Sequence, residues 1–208
     1  MAGNNPNQAF FQTDTFHGIA KRTIYKRSLE EFIKIELDNN NRIVIVDAIA
    51  GKGYYGPQVN SVNHDLKIEK CGSPIIALRL CMAEVGRRQN LLDPPRRPST
   101  ILQPQIYLIF NDGDKANSLD LRKTTRSWLK RYVSRVQTYT METQRDNTHF
   151  TIACGSYRIE VYIRCNVFED LQIPKAVPND AKWFTIIDAF GSQAIPLDCV
   201  ERYIGSGK

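Results

Sequence analysis

A run of β-branched residues, Ile43-Val44-Ile45-Val46, ends in Asp47, and a glycine-rich turn, Ala50-Gly51-Lys52-Gly53-Tyr54-Tyr55-Gly56, follows almost at once. A strand buried on both faces reads as a continuous Val/Ile run. The run therefore predicts a parallel strand covered by helices on both faces of its sheet. Asp47 falls at the carboxyl end of that strand, where ligands of open α/β sheets bind. Glycines directly after it let the backbone approach a nucleotide-like ligand that a Cβ would block. Gly51-Lys52-Gly53 lacks the spacing of a phosphate loop, and no helix starts at Gly56 to complete a dinucleotide fingerprint. The pattern predicts a cofactor site without naming the cofactor.

The rest of the chain alternates helical and extended patterns. Residues 1–12 are rich in Asn and Gln and read as a disordered lead-in. A helix is expected over 13–37, with Ile24, Leu29, Phe32, Ile33 and Leu37 on its apolar face and Asp14 or Thr13 as its cap. After the 43–47 strand and a long loop, Ser73-Pro74 is a strong helix start, and a helix is expected over 74–85. Residues 86–104 carry Arg87, Arg88, Arg96, Arg97 and four prolines, which reads as a loop. An apolar strand over 106–110 closes on Asn111-Asp112-Gly113-Asp114, and a helix follows over 116–136. Phe150, Ile152 and Cys154, then Tyr157, Ile159, Val161 and Ile163, alternate around Gly155-Ser156, which is a hairpin signal. A strand over 183–189 and a short helix over 196–204 end the sequence. This order predicts an α/β fold with a mostly parallel sheet and a local hairpin.

Composition narrows the classes. At 208 residues one domain is the default, and no apolar stretch reaches the roughly 20 residues that span a bilayer. The first residues lack a basic-then-apolar signal pattern, and the five cysteines are odd in number and never spaced CxxC. An intracellular chain, cytoplasmic or nuclear, with reduced thiols and no zinc site or membrane partner is expected. A net charge of +6 permits a nucleic-acid partner without demanding one.

With these pieces in order, the chain resembles the three-Cys-motif partner proteins, a branch of the S-adenosylmethionine-dependent methyltransferases with a Rossmann-like fold. His17, Lys21, Leu29 and Phe32 fall where that family has an N-terminal helix with a Lys and a Leu-aromatic pair. Val46-Asp47-Ala48-Ile49-Ala50-Gly51-Lys52-Gly53 is similar to its D-x-F-A-G-x-G, and Gly72-Ser73-Pro74-Ile75-Ile76-Ala77-Leu78 to its G-S-P-L-I-A-L. Ile109-Phe110-Asn111-Asp112 resembles its acid-ended strand. Ile187-Asp188-Ala189-Phe190-Gly191, followed by Ile195-Pro196, resembles its I-D-P-F-G and I-P. The likeness spans 17–204. Ala189 stands in place of the family's proline, and the main strands are fewer than such an enzyme carries. The resemblance thus implies one methyltransferase-like domain over 13–208, or the N-terminal part of one. Its last strand is then expected to pair with a protein partner or a second copy, or to belong to a longer protein.

The resemblance implies S-adenosylmethionine as cofactor. Its amino-acid part would lie against Gly51 and Gly53, with Asp47 accepting from the ammonium and Ser73 donating to the carboxylate. Asp112, with Asp114 as rival, would take the ribose hydroxyls, and Asn166 or Phe168 the adenine. Asp188 would hold or orient the nucleophile of the methyl acceptor, whose class the sequence does not indicate. His17 and Lys21 would cover the cleft. Each position has a structural alternative: a turn, a cap or a solvated loop. RNA or DNA could dock on the basic helix through Arg122, Arg126 and Lys130, or on the 86–105 loop, although no aromatics are interleaved there for stacking. Two function classes therefore compete: a methyltransferase, and a non-catalytic scaffold of the same fold that binds a protein or nucleic acid.

Overall fold

The computed structural model describes residues 16–39, 41–55, 70–91, 105–133, 139–144, 147–154, 157–167 and 170–187. Three helices, α1 (Phe16–Asp38), α2 (Ser73–Leu91) and α3 (Lys115–Val133), accompany six strands. These are β1 (Ile43–Asp47), β2 (Gln105–Asn111), β3 (Tyr139–Gln144), β4 (Asn147–Cys154), β5 (Tyr157–Arg164) and β6 (Lys182–Ile186). They form one mixed sheet in the order β3-β4-β5-β2-β1-β6. β6, β1, β2 and β5 run parallel, while β3 and β4 add an antiparallel meander beyond β5. The protein is an α/β fold, and the expected hairpin is the β4–β5 pair.

Chain order explains which layer lies where. From β1 through α2 to β2, and from β2 through α3 and the meander to β5, the chain steps across the sheet in one direction. Right-handed crossovers then place both helices on one face. There Ile75, Leu78 and Cys81 of α2 and Leu121, Trp128 and Leu129 of α3 pack on Ile43, Ile45, Ile106, Leu108, Phe110, Ile159 and Val161. α1 joins the same face through Leu29, Ile33 and Leu37, each worth about 1.5–3 kcal/mol of apolar burial. It covers β6, where Phe32 meets Phe184 at a ring-centroid distance of 5.3 Å.

From β5 the chain returns past β1 to β6, and the same handedness carries this connection over the opposite face. Leu171, Ile173, Val177 and Ala181 lie there against Val44, Val46, Tyr107, Ile109 and Tyr162. This corrects the expectation of helices on both faces. β1 is buried along its whole length, but among the described residues its second cover is irregular chain. The direction of stepping reverses between β1 and β6, which makes that boundary a topological switch point.

Other expectations shift in detail. Ile24 is 68% exposed, and Tyr25 takes the inward place ahead of Leu29, Ile33 and Leu37 at intervals of one helical turn. α2 continues through Gly86 to Leu91, so Arg87 and Arg88 lie on a helix and not in a loop. Arg87 bonds Glu84, and Arg88 bonds Glu84, Asp38 and the Leu37 carbonyl (2.9 Å), which caps the end of α1. β3 was not expected from its polar sequence. Residues 1–12 and the 196–204 helix lie outside the described residues. Among the described residues no helix is long and apolar enough to cross a membrane.

Candidate functional site

The turn after β1 is attached residue by residue to the elements around it. The Ala48 amide donates to the Ile186 carbonyl of β6 (3.0 Å) and the Ala50 amide to the Asn111 carbonyl of β2 (2.7 Å). Gly51, at φ 60°, donates to Asp112 Oδ2 at 2.7 Å. Gly53, at φ 75°, accepts from the Gly72 amide at the start of α2 (2.9 Å). A bridge between Tyr54 and Cys71 then closes the neck of the connection to α2. Two residues in the left-handed region within three positions explain the Gly-x-Gly spacing, because an L side chain is disfavoured there.

Both acids expected at the strand ends are buried beside this turn. Asp47 is 1% exposed and Asp112 5% exposed. Besides Gly51, Asp112 accepts at Oδ1 from the Asp114 amide (2.8 Å) and the Asn117 side chain (3.3 Å). A carboxylate offers about four acceptor positions, so these three donors leave roughly one. Burial pushes the Asp112 carboxyl above its ordinary value, and the three donors pull it back only in part. Asp114 serves as the cap of α3, accepting from the Ala116 amide at 2.7 Å.

Gly53 is required by packing as well as by dihedral angle. A Cβ there would sit 2.6 Å from Leu121 Cδ1 and 3.4 Å from Ile75 Cγ1. The space beside this glycine is therefore filled by α3 and α2. Gly72 fits as closely, with the Gly53 carbonyl carbon 3.0 Å from where its Cβ would stand. Ser73 begins α2 half-buried, and its carbonyl accepts from the Tyr25 hydroxyl at 3.3 Å. Tyr25 brings α1 to the site: burial and the nearby Asp47 charge both push its hydroxyl well above the ordinary range. The Arg22 guanidinium lies over the Tyr55 ring at 4.7 Å, and Lys21 is half-buried one turn before Tyr25. His17 belongs to α1. The sequence did not single out Tyr25, Arg22 or Tyr55; the expectation that His17 and Lys21 cover the cleft was the one signal that this helix reaches the turn.

At the third strand end, Asn111 holds the loop that carries Asn166. Its side chain donates to the Asn166 carbonyl (3.0 Å) and the Ala48 carbonyl (3.2 Å), and accepts from the Asn166 amide (3.2 Å). Asp47, Gly51, Gly53, Ser73, Asp112 and Asn166 thus gather along the carboxyl ends of β1, β2 and β5. Asp188, Ala189 and Phe168 lie outside the described residues. Among the described residues no group of three or more His, Cys, Asp or Glu could hold a metal ion.

A polar cluster lies apart from this edge, on the sheet face away from the helices. Glu160 is 3% exposed and accepts from His149 Nε2 (2.5 Å), Thr151 Oγ1 (2.9 Å) and Arg158 Nε. The His149 ring stacks on Tyr162 at 4.3 Å, nearly parallel at 4°. The register of the hairpin sets Thr151 opposite Glu160 and His149 opposite Tyr162, so the alternating pattern around Gly155-Ser156 carried the signal. Its evident work is to fix the meander to the parallel strands.

Comparison of the chain with protein-family models, with curated proteins and with solved structures finds no match.

Proposed function

We propose that the chain binds S-adenosylmethionine at the carboxyl ends of β1 and β2 and acts as a Rossmann-like methyltransferase, or as the cofactor-binding part of one. The observation that carries the reading is the positive-φ glycine turn at the β1–β6 switch point, flanked by the buried carboxylates Asp47 and Asp112. Open α/β sheets bind ligands at such a crevice, and the resemblance of the motifs supports this cofactor over others.

The residues fit the group unevenly. Asp47, at the end of β1, suits the ligand's ammonium. Asp112 chiefly fixes the turn through Gly51, and its remaining acceptor position suits one ribose hydroxyl. Gly53 acts by packing, while Asn166, held by Asn111 beyond the end of β5, would face the adenine. When bound, the cofactor supplies an electrophilic sulfonium methyl. The chain's own contribution is to align and to exclude water, which can supply much of the rate of an in-line displacement.

Thermal unfolding with and without S-adenosylhomocysteine tests the reading. A ligand at 100 times its dissociation constant stabilises the folded state by about 2.7 kcal/mol. A clear rise in Tm that Gly51→Val abolishes is expected. An unmoved Tm at millimolar ligand would reject the proposal.

A further inference from the structure

α3 carries six Lys or Arg side chains against a single acid, Asp120, and the fold sorts them. At about 100° per residue, Lys115, Arg122, Lys123, Arg126 and Lys130 fall within an arc of roughly 100°. Ser118, Leu121, Thr125, Trp128 and Leu129 point inward and are buried. Lys115, Lys123, Arg126 and Lys130 are exposed, and Arg122 is half-buried at the edge of the arc. From Lys115 to Lys130 the row is about 22 Å long at 1.5 Å per residue. Lys123 pairs with Asp120, the single acid of α3, at 3.2 Å, so six cations face one acid there, whereas the neighbouring helices are more evenly matched. The basic end of α2 is neutralised by Glu84 and Asp38, and exposed Lys26, Arg27 and Lys34 of α1 are interspersed with Glu30 and Glu31.

The row also begins at the candidate site. Leu121 and Thr124 of α3 pack where Gly53 lacks a side chain, and the half-buried Lys52 of the turn feels the charge of Asp120. We infer that this face of α3 is a docking surface for the phosphate backbone of a nucleic acid. A straight row of cations on a rigid helix matches a linear array of phosphates. A bilayer surface fits less well, because membrane-lying helices need an apolar face to insert. Along the row from Lys115 to Lys130, Leu119, 41% exposed, is the one apolar residue on this arc. The inference is independent of cofactor binding; joined to it, it makes a nucleic acid the class of methyl acceptor.

The test uses the full chain and a fluorescein-labelled 20-nucleotide RNA and its DNA duplex, without cofactor, by anisotropy. Engagement of three to five phosphates predicts that affinity falls between 50 and 200 mM KCl by about 20- to 130-fold for the single strand and by about 40- to 500-fold for the duplex. Arg126→Glu with Lys130→Glu, both exposed, should weaken binding at least tenfold at 50 mM and flatten the salt slope. The same variant should keep wild-type circular dichroism and the same thermal response to S-adenosylhomocysteine. Absence of binding at 50 mM, binding indifferent to the double reversal, or preference for phosphatidylserine vesicles over both nucleic acids would overturn the inference. Loss of the S-adenosylhomocysteine response in wild type, with nucleic-acid binding intact, would reject the cofactor reading alone.

Discussion

Replacement of Gly53 by alanine tests how the turn after β1 is held. Gly53 has φ 75°, and an L residue in the left-handed region costs about 1–2 kcal/mol. The new methyl would stand 2.6 Å from Leu121 Cδ1. Leu121 is fully buried, so it can yield only by disturbing its neighbours, at about 1–3 kcal/mol for overpacking. The stiffer unfolded chain offsets roughly 0.4–1 kcal/mol. The expected net loss is therefore about 1–4.6 kcal/mol, read from urea unfolding followed by circular dichroism. Leu121→Ala separates the two causes. Alone it should cost about 2–5 kcal/mol, but in the double variant the steric part of the Gly53→Ala cost disappears and only the dihedral part remains. The two changes should therefore be non-additive by about 1–3 kcal/mol. Strict additivity, or a single Gly53→Ala variant within 0.5 kcal/mol of wild type, would refute the packing argument.

Three further predictions follow from the contacts. Arg88→Met should destabilise by about 1.5–3 kcal/mol in chemical denaturation, because charge-assisted bonds to Glu84, Asp38 and the end of α1 are lost together; a neutral outcome would mean that α1 needs no cap. Glu160→Gln should cost about 1–3 kcal/mol, since an amide cannot accept from His149, Thr151 and Arg158 at once; unchanged stability would reduce the cluster to surface decoration. Burial raises the Asp112 carboxyl above its ordinary 3.8, so the folded state keeps a proton that the unfolded state has already released. Stability from this group is then fully present below 3.8 and lost as pH rises through the folded value. The stability of wild type relative to Asp112→Asn should accordingly increase as pH falls from 7 to 4, and a flat or opposite trend in pH-dependent unfolding would contradict the burial argument.

What the sequence revealed was local. Ile43 to Asp47, the Gly-x-Gly turn, the Ser73-Pro74 start and the 150–163 hairpin are each specified by neighbouring residues, and each stands where expected. What it hid depends on partners distant along the chain. Gly86 ends many helices, yet α2 passes through it because Arg88 finds Glu84 within the helix and Asp38 and Leu37 on α1. Ile24 looked inward until Tyr25 was drawn down to Ser73 and Phe184. Asp112 could be placed at a strand end, but its bond to Gly51 spans 61 residues and leaves no local mark. The cover of the second face is irregular, and four scattered apolar residues, Leu171, Ile173, Val177 and Ala181, carry no period to announce it.

The central claim is a cofactor cleft at the end of β1, and titration calorimetry of S-adenosylmethionine into the wild-type chain and Asp47→Ala tests it most directly. The account predicts one site in wild type and a loss of about 1.5–3 kcal/mol in the variant, the scale of a hydrogen bond to a charged group. Lys175→Ala, at an exposed position on the connection over the opposite face, should bind as wild type does. No heat of binding in wild type, or equal affinity in wild type and Asp47→Ala, would contradict it.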